Sequence, residues 1–127
     1  MPYSTVLKKL PGFCLLVSLA SCATVRPAPT VATATVPTTT VAKYLGSTQC
    51  QGGGLSLAQV QDQLTAAGVP VVRMACGHDG RVHPAVCGAG DGRLAIAVIP
   101  AAQLNRATGL GFLPAAKLPD HGETPCK

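Results

Sequence analysis

The chain has 127 residues, a formal charge of +5 and only four aromatic side chains, two Tyr and two Phe with no Trp. That length allows at most one ordinary domain, and its small apolar residues (Ala, Val, Gly) leave a modest side-chain area to bury. Its basic residues are scattered, with one adjacent pair at Lys8 and Lys9. Together with so few rings for stacking on bases, this excludes a nucleic-acid-binding surface.

In chain order, residues 1–9 carry two lysines and no acid, and "LPGFCLLVSLA" at 10–20 is almost wholly apolar. A run that short cannot cross a bilayer as a helix, which takes about 20 apolar residues. A charged start, a brief apolar run and small residues after it have the layout of a secretory signal. Leu19, Ala20, Ser21 and Cys22 then resemble the lipobox of bacterial lipoproteins. The resemblance covers residues 1–22 only. It implies a signal peptide over 1–21, cleavage just before Cys22, a diacylglycerol on the Cys22 thiol and acylation of the new amino group. Membrane lipid is thus an implied partner. Each buried acyl CH₂ contributes about 0.8 kcal/mol, so two or three chains hold a small protein firmly. Ala23 stands where an Asp would favour retention in the inner membrane, so the resemblance implies an outer-membrane anchor facing the periplasm. The competing reading uses the small-x-small spacing of Ser21 and Ala23 as an ordinary cleavage site, which would release a soluble protein beginning at Thr24.

After Cys22, "ATVRPAPTVATATVPTTTVAK" at 23–43 has no Gly, no acid and no aliphatic larger than Val. Pro27, Pro29 and Pro37 interrupt helix. With the lipidated cysteine, residues 22–43 read as an extended, partly polyproline-like tether, with an ordered edge strand as the alternative reading of its alternating pattern.

The folded part is then expected at 44–127. Ser56 and Gln59 form a capping box ahead of "LAQVQDQLTAAG". There Leu57, Val60, Leu64 and Ala67 share a face and Gly68 supplies the stop, so a helix is predicted. "VPVVRMAC" at 69–76 and "RLAIAVI" at 93–99 are β-rich, and the second is apolar on both faces, as a central strand would be. Between them, Asp79-Gly80 and Asp91-Gly92 are tight-turn signals. A third short strand near 81–87 is disfavoured by Pro84, which donates no ladder hydrogen bond. "PAAQLNRATG" reads as a short second helix running from Pro100 to Gly109, and "LGFLPAAKLP" as an irregular tail. This order predicts a small α+β domain: a two- or three-stranded antiparallel sheet against one or two helices. Its core would be Leu57, Val60, Leu64, Val71, Leu94, Ile96, Val98, Leu104, Leu110 and Phe112.

That core is thin, and a domain of this size is marginal without staples. Cys14 leaves with the signal and Cys22 is acylated. Cys50, Cys76, Cys87 and Cys126 remain, an even set that reads as two disulfides in an exported domain. Of the three pairings, Cys76–Cys87 and Cys50–Cys126 are expected. The first would close the excursion between the strands and the second would tie down the tail. On the chain-entropy model they contribute about 3 and about 4.5 kcal/mol.

His78, Asp79, Arg81 and His83 form the densest polar cluster. Its two readings are a solvated loop tip shaped by Asp-Gly and a recognition loop fixed at its base by a Cys76–Cys87 bridge. Cys76, His78, His83 and Cys87 could offer soft ligands to zinc, but their spacing matches no common structural zinc pattern, so no metal and no cofactor are assigned. "QGGGLS" at 51–56 precedes a helix yet lacks the Lys-Ser/Thr of a phosphate loop, and it reads as a flexible entry. No nucleophile elbow and no carboxylate pair is present, and no catalytic residue is assigned. The expected function is that of a membrane-anchored envelope lipoprotein with a small non-enzymatic binding or structural domain and a protein partner in the envelope. The alternative is a periplasmic inhibitor or immunity-type protein acting through the cysteine-closed loop.

Overall fold

The structure is a computed structural model that describes residues 35–126. The signal segment and Cys22 lie outside the described residues. Five strands form one antiparallel sheet in the order β4-β1-β3-β2-β5, with two helices. The strands are β1 (Thr38–Tyr44), β2 (Arg73–His78), β3 (Arg93–Pro100), β4 (Leu113–Pro114) and β5 (Gly122–Glu123). The helices are α1 (Leu57–Ala66) and α2 (Leu104–Gly109), the latter entered through a 3₁₀ turn at Ala101–Gln103. This is the small disulfide-stapled α+β domain that the sequence predicts. Among the described residues no helix is long and apolar enough to cross a membrane.

The helix forms as the sequence dictates. Ser56 Oγ accepts from Gln59 N at 3.2 Å while Gln59 Oε1 accepts from Ser56 N at 2.8 Å, so the capping box is complete. The buried side chains of α1 are Val60 and Leu64. β3 is the central strand, and its apolar residues on both faces serve two cores. On the helix side, Val60 and Leu64 cluster with Val41, Ala95, Ala97, Ile99 and Phe112. The small Ala95 and Ala97 let the helix approach the sheet closely. On the opposite side, Ala42, Leu94, Ile96 and Leu118 form a thinner second core with the half-buried Leu113 against it.

Three expectations need correction. First, the tether ends earlier than residue 43. Thr38–Tyr44 pairs along its whole length with β3, from Thr38 opposite Pro100 to Tyr44 opposite Leu94. It is flanked on its other side by β4. β1 is therefore an interior strand, not an edge, and Val41 and Ala42 are fully buried. The cause is complementarity with β3: a strand apolar on both faces needs two neighbours, and the small Thr/Val/Ala side chains of 38–42 fit between the two cores. Lys43 adds a polar tie, its Nζ donating to Gln63 Oε1 at 2.6 Å and to the Leu110 carbonyl at 2.8 Å. It also lies 5.1 Å from the centroid of the Phe112 ring. Second, β2 begins at Arg73, four residues later than the β-rich run 69–76. The turn after α1 occupies the intervening residues, with Val69 N bonded back to Leu64 O at 2.9 Å. Residues 81–86 form no strand.

Third, the cysteines pair otherwise: Cys50 with Cys87, and Cys76 with Cys126, at Cα separations of 5.1 and 5.2 Å. Cys76 is buried inside β2. The chain end runs beside that strand, β5 pairing with Gly77 and His78 and Thr124 N donating to Cys76 O at 2.9 Å. Cys126 is thus delivered to Cys76. Cys87 lies at the far end of the excursion, beside the hairpin that carries Cys50. The expected consequence survives in altered form, since the Cys76–Cys126 bridge ties down the tail.

Of the expected core, Val60, Leu64, Leu94, Ile96 and Phe112 are buried, and Leu57, Val71, Val98, Leu104 and Leu110 are half-buried. Gly77 is required by packing. A Cβ there would overlap the Ile96 side chain and stand 2.5 Å from the Gly122 carbonyl oxygen.

Candidate binding loop and its two fastenings

Strand β2 ends at His78, and the chain does not return to the sheet until Arg93. The loop between them is fastened at both ends. At its start, Asp79 N donates to Gly92 O at 3.0 Å, which continues the β2–β3 ladder by one step. The Asp79 side chain turns to the second face of the sheet, the face that carries Tyr44. There the Tyr44 hydroxyl donates to Oδ2 at 3.0 Å and the Arg81 N–H to Oδ1 at 3.1 Å. His83 Nε2 stands 2.9 and 3.1 Å from the two carboxylate oxygens. A carboxylate only accepts, so Nε2 carries the proton in this contact.

Asp79 is 3 % exposed, so it is not a solvated loop tip. Burial pushes its carboxyl upward, but the hydrogen bonds from His83, the Arg81 amide and Tyr44 outweigh that and hold it below the usual carboxylate range. Burial and the same hydrogen bond to Asp79 raise the Tyr44 phenol. Gly92 is part of this arrangement. It has φ +72°, and a Cβ on it would overlap His83 Nε2 and stand 2.7 Å from Asp79 Oδ1. A bare backbone lets the imidazole and carboxylate close over it.

At its other end the loop is stitched to the hairpin 48–52. Beside the Cys50–Cys87 bridge, Gln49 N donates to Ala89 O at 2.8 Å and Gly88 N to Gln49 O at 3.1 Å. Cys50 is held in the left-handed region at φ 70°, a conformation costing about 1–2 kcal/mol for a residue with a Cβ. Ser47 Oγ donates to Asp91 Oδ1 at 2.6 Å, and Arg93 N to the same oxygen at 3.2 Å. Burial raises the Asp91 carboxyl, and these bonds, with the Arg93 charge, more than reverse it. Of the stretch 51–56 read as a flexible entry, Gln51 and Gly52 therefore belong to the hairpin that holds the loop.

Between these fastenings, residues 81–86 have no regular backbone pairing; Val86 N turns back to Pro84 O at 2.8 Å and the Val86 carbonyl accepts from Ala89 N at 3.0 Å. Val82 is 99 % exposed and Val86 62 % exposed. Arg81 is exposed beside them. The four polar residues singled out in the sequence thus divide. Asp79 and His83 are brought together as the base of the loop. Arg81 is on its outer surface, with only its backbone tied to Asp79. His78 is the last residue of β2, its Nδ1 accepting from Gly80 N at 3.0 Å. Cys76 and Cys87 are not brought together, and each is spent in a different disulfide. Tyr44 and Gly92 were not singled out in the sequence. Asp91-Gly92 was legible as a turn signal, but Tyr44 lies 35 residues from Asp79 and carries no local mark.

Comparison with protein-family models, with curated proteins and with solved structures gives no match for this chain.

Proposed function

We propose that this chain is a lipid-anchored envelope protein, held in the membrane through acylated Cys22, whose α+β domain is a non-enzymatic binding module for a protein partner. Residues 81–86 are its contact surface. One observation carries the reading: a loop held at one end by the buried Asp79 and at the other by Cys50–Cys87 exposes Val82 and Val86 to water. Single exposed valines are ordinary. Two of them within five residues, on a segment fastened at both ends, form a surface whose ordering cost is largely met before binding.

The entry of the chain supports the same reading. β1 runs from Thr38 to Tyr44 beneath the loop, six steps of about 3.3 Å or some 20 Å. The loop is therefore at the end of β1 opposite the point where the chain enters the domain. A second reading, an inhibitor or immunity-type protein, is favoured by the irregular backbone of 81–86. Its closure would be Cys50–Cys87 in place of the bridge expected from the sequence.

The test is site-specific photocrosslinking in the native envelope. A photoreactive residue at Val82 is expected to give one discrete adduct, weakened by Arg81→Ala, while the same residue at exposed Asp62 on α1 gives none. Equal labelling from both positions would overturn the assignment of the loop. Cys22→Ser is expected to move the protein from the membrane to the soluble fraction, and unchanged membrane association would remove the anchor. If the captured protein is an enzyme whose activity falls on addition of the domain, the second reading prevails.

A further inference from the structure

Among the described residues, the exposed large apolar side chains gather at two opposite ends of the sheet. Tyr44, Val82 and Val86 belong to the loop end described above. The other two, Val36 and Val72, are 62 and 64 % exposed and flank the far end. Three neighbouring strands reach the surface there. Pro37 O accepts from Ala101 N at 2.8 Å where β1 begins beside the end of β3, and Val72 N donates to Val98 O at 2.8 Å where β2 begins on its other side. Neighbouring strands lie about 4.8 Å apart, so the two valines bracket a strip about 10 Å wide. Pro37, Pro70, Ala101 and Ala102 are exposed at the same end.

Little at this end resists removal from water. Segments 35–42, 66–72 and 97–105 carry no charged residue, and their polar side chains are hydroxyls and amides. Pro37, Pro70 and Pro100 have no backbone N–H to desolvate. The Pro37 carbonyl and the Val72 N–H are already paired. Covering such a surface strips water from no ion and orphans neither of these groups. This is also the end at which the chain enters the domain, since Thr35 immediately precedes Val36. Residues 23–34 separate it from Cys22, and those twelve residues span at most about 43 Å however they run.

We infer that this end of the domain docks on the lipid surface, Val36 and Val72 entering the headgroup region near the acyl anchor. The inference rests on the Cys22 anchor proposed above. Once the anchor holds the chain, docking is intramolecular, so a patch too small to bind a membrane alone suffices. Docked in this way, the domain turns the loop 81–86 away from the bilayer, because that loop lies at the other end of β1.

The test uses the full acylated chain in vesicles of phosphatidylethanolamine and phosphatidylglycerol. An environment-sensitive fluorescent amino acid is placed at Val36, Val72 or Val82 in turn, and lipids brominated near the headgroup end of the acyl chain act as quencher. Quenching and a blue-shifted emission are expected at Val36 and Val72, and neither at Val82. With the label at Ala101, Val36→Asp together with Val72→Asp is expected to abolish quenching without releasing the chain from the vesicles. Vesicle flotation reports the anchor separately. A chain that floats while the three positions give equal signals, quenched or not, overturns the inference and leaves the anchor standing. A chain that does not float removes the anchor and this inference with it. A blue-shifted but unquenched Val72 would mean that a protein surface covers this end, a second copy or residues 23–34, and would also overturn it. The comparison of Val72 with Val82 does not depend on the doubly substituted chain folding.

Discussion

Asp79→Asn is the sharpest probe of how the loop is held. The carboxylate accepts from Tyr44 Oη, Arg81 N and His83 Nε2 at 2.9–3.1 Å while 3 % exposed. An asparagine of the same shape keeps one acceptor oxygen. If that oxygen stays with Arg81 N–H and His83, the new NH₂ faces Tyr44, whose hydroxyl turns to accept. No buried group is orphaned, so the loss is chiefly the charge assistance of two hydrogen bonds. At about 1 kcal/mol for each, the cost is about 2 kcal/mol, or roughly 8–16 °C in Tm for a domain this small. The pH dependence gives the decisive signature. The folded carboxyl is held below its unfolded value of about 3.9. Its stabilisation is therefore complete above that value and is lost as pH falls through the lower, folded one. Asn does not titrate. Guanidinium unfolding of both proteins, disulfides intact, should show a gap of about 2 kcal/mol near neutrality that narrows steadily below about pH 4. A gap that is constant across that range, or below about 0.5 kcal/mol at neutrality, would refute the charged hub.

Three further outcomes are expected. Non-reducing peptide mapping should recover Cys50 with Cys87 and Cys76 with Cys126. Cys50→Ser with Cys87→Ser should cost about 4 kcal/mol for a cross-link spanning 37 residues, less the left-handed strain released at Cys50; recovery of any other pairing would mean that the chain end does not run beside β2. A fragment beginning at residue 44 lacks β1 and uncovers β3 on one side, so it should show no cooperative thermal transition by circular dichroism. A fragment beginning at residue 35 should melt cooperatively, and folding of the shorter one would contradict the interior position of β1.

The elements legible in the sequence are those whose causes are local. The α1 cap depends on Ser56 and Gln59, three residues apart, and its buried stripe on a repeat within ten residues. The double-faced apolar pattern of β3 identified it as central, and the Asp-Gly pairs marked both ends of the loop. His78, Asp79, Arg81 and His83 stood out as a cluster because they are close in sequence. Their division into a buried hub and an exposed surface was not legible, because the partner that decides it, Tyr44, arrives from β1.

What the sequence by itself determined, then, is the composition of the domain: an α+β layer with one capped helix, a central strand and an even set of four cysteines that must stabilise a thin core. What only the tertiary structure decided is every pairing across distance. Residues 38–43 carry the same Thr-Ala-Val pattern whether they hang as a tether or lie between β3 and β4, and only the fit of Val41 and Ala42 into two separate cores selects the strand. Four cysteines have three pairings of similar loop entropy. The choice was made by which chain segments the sheet brings within about 5 Å of one another, and no local spacing encodes that distance.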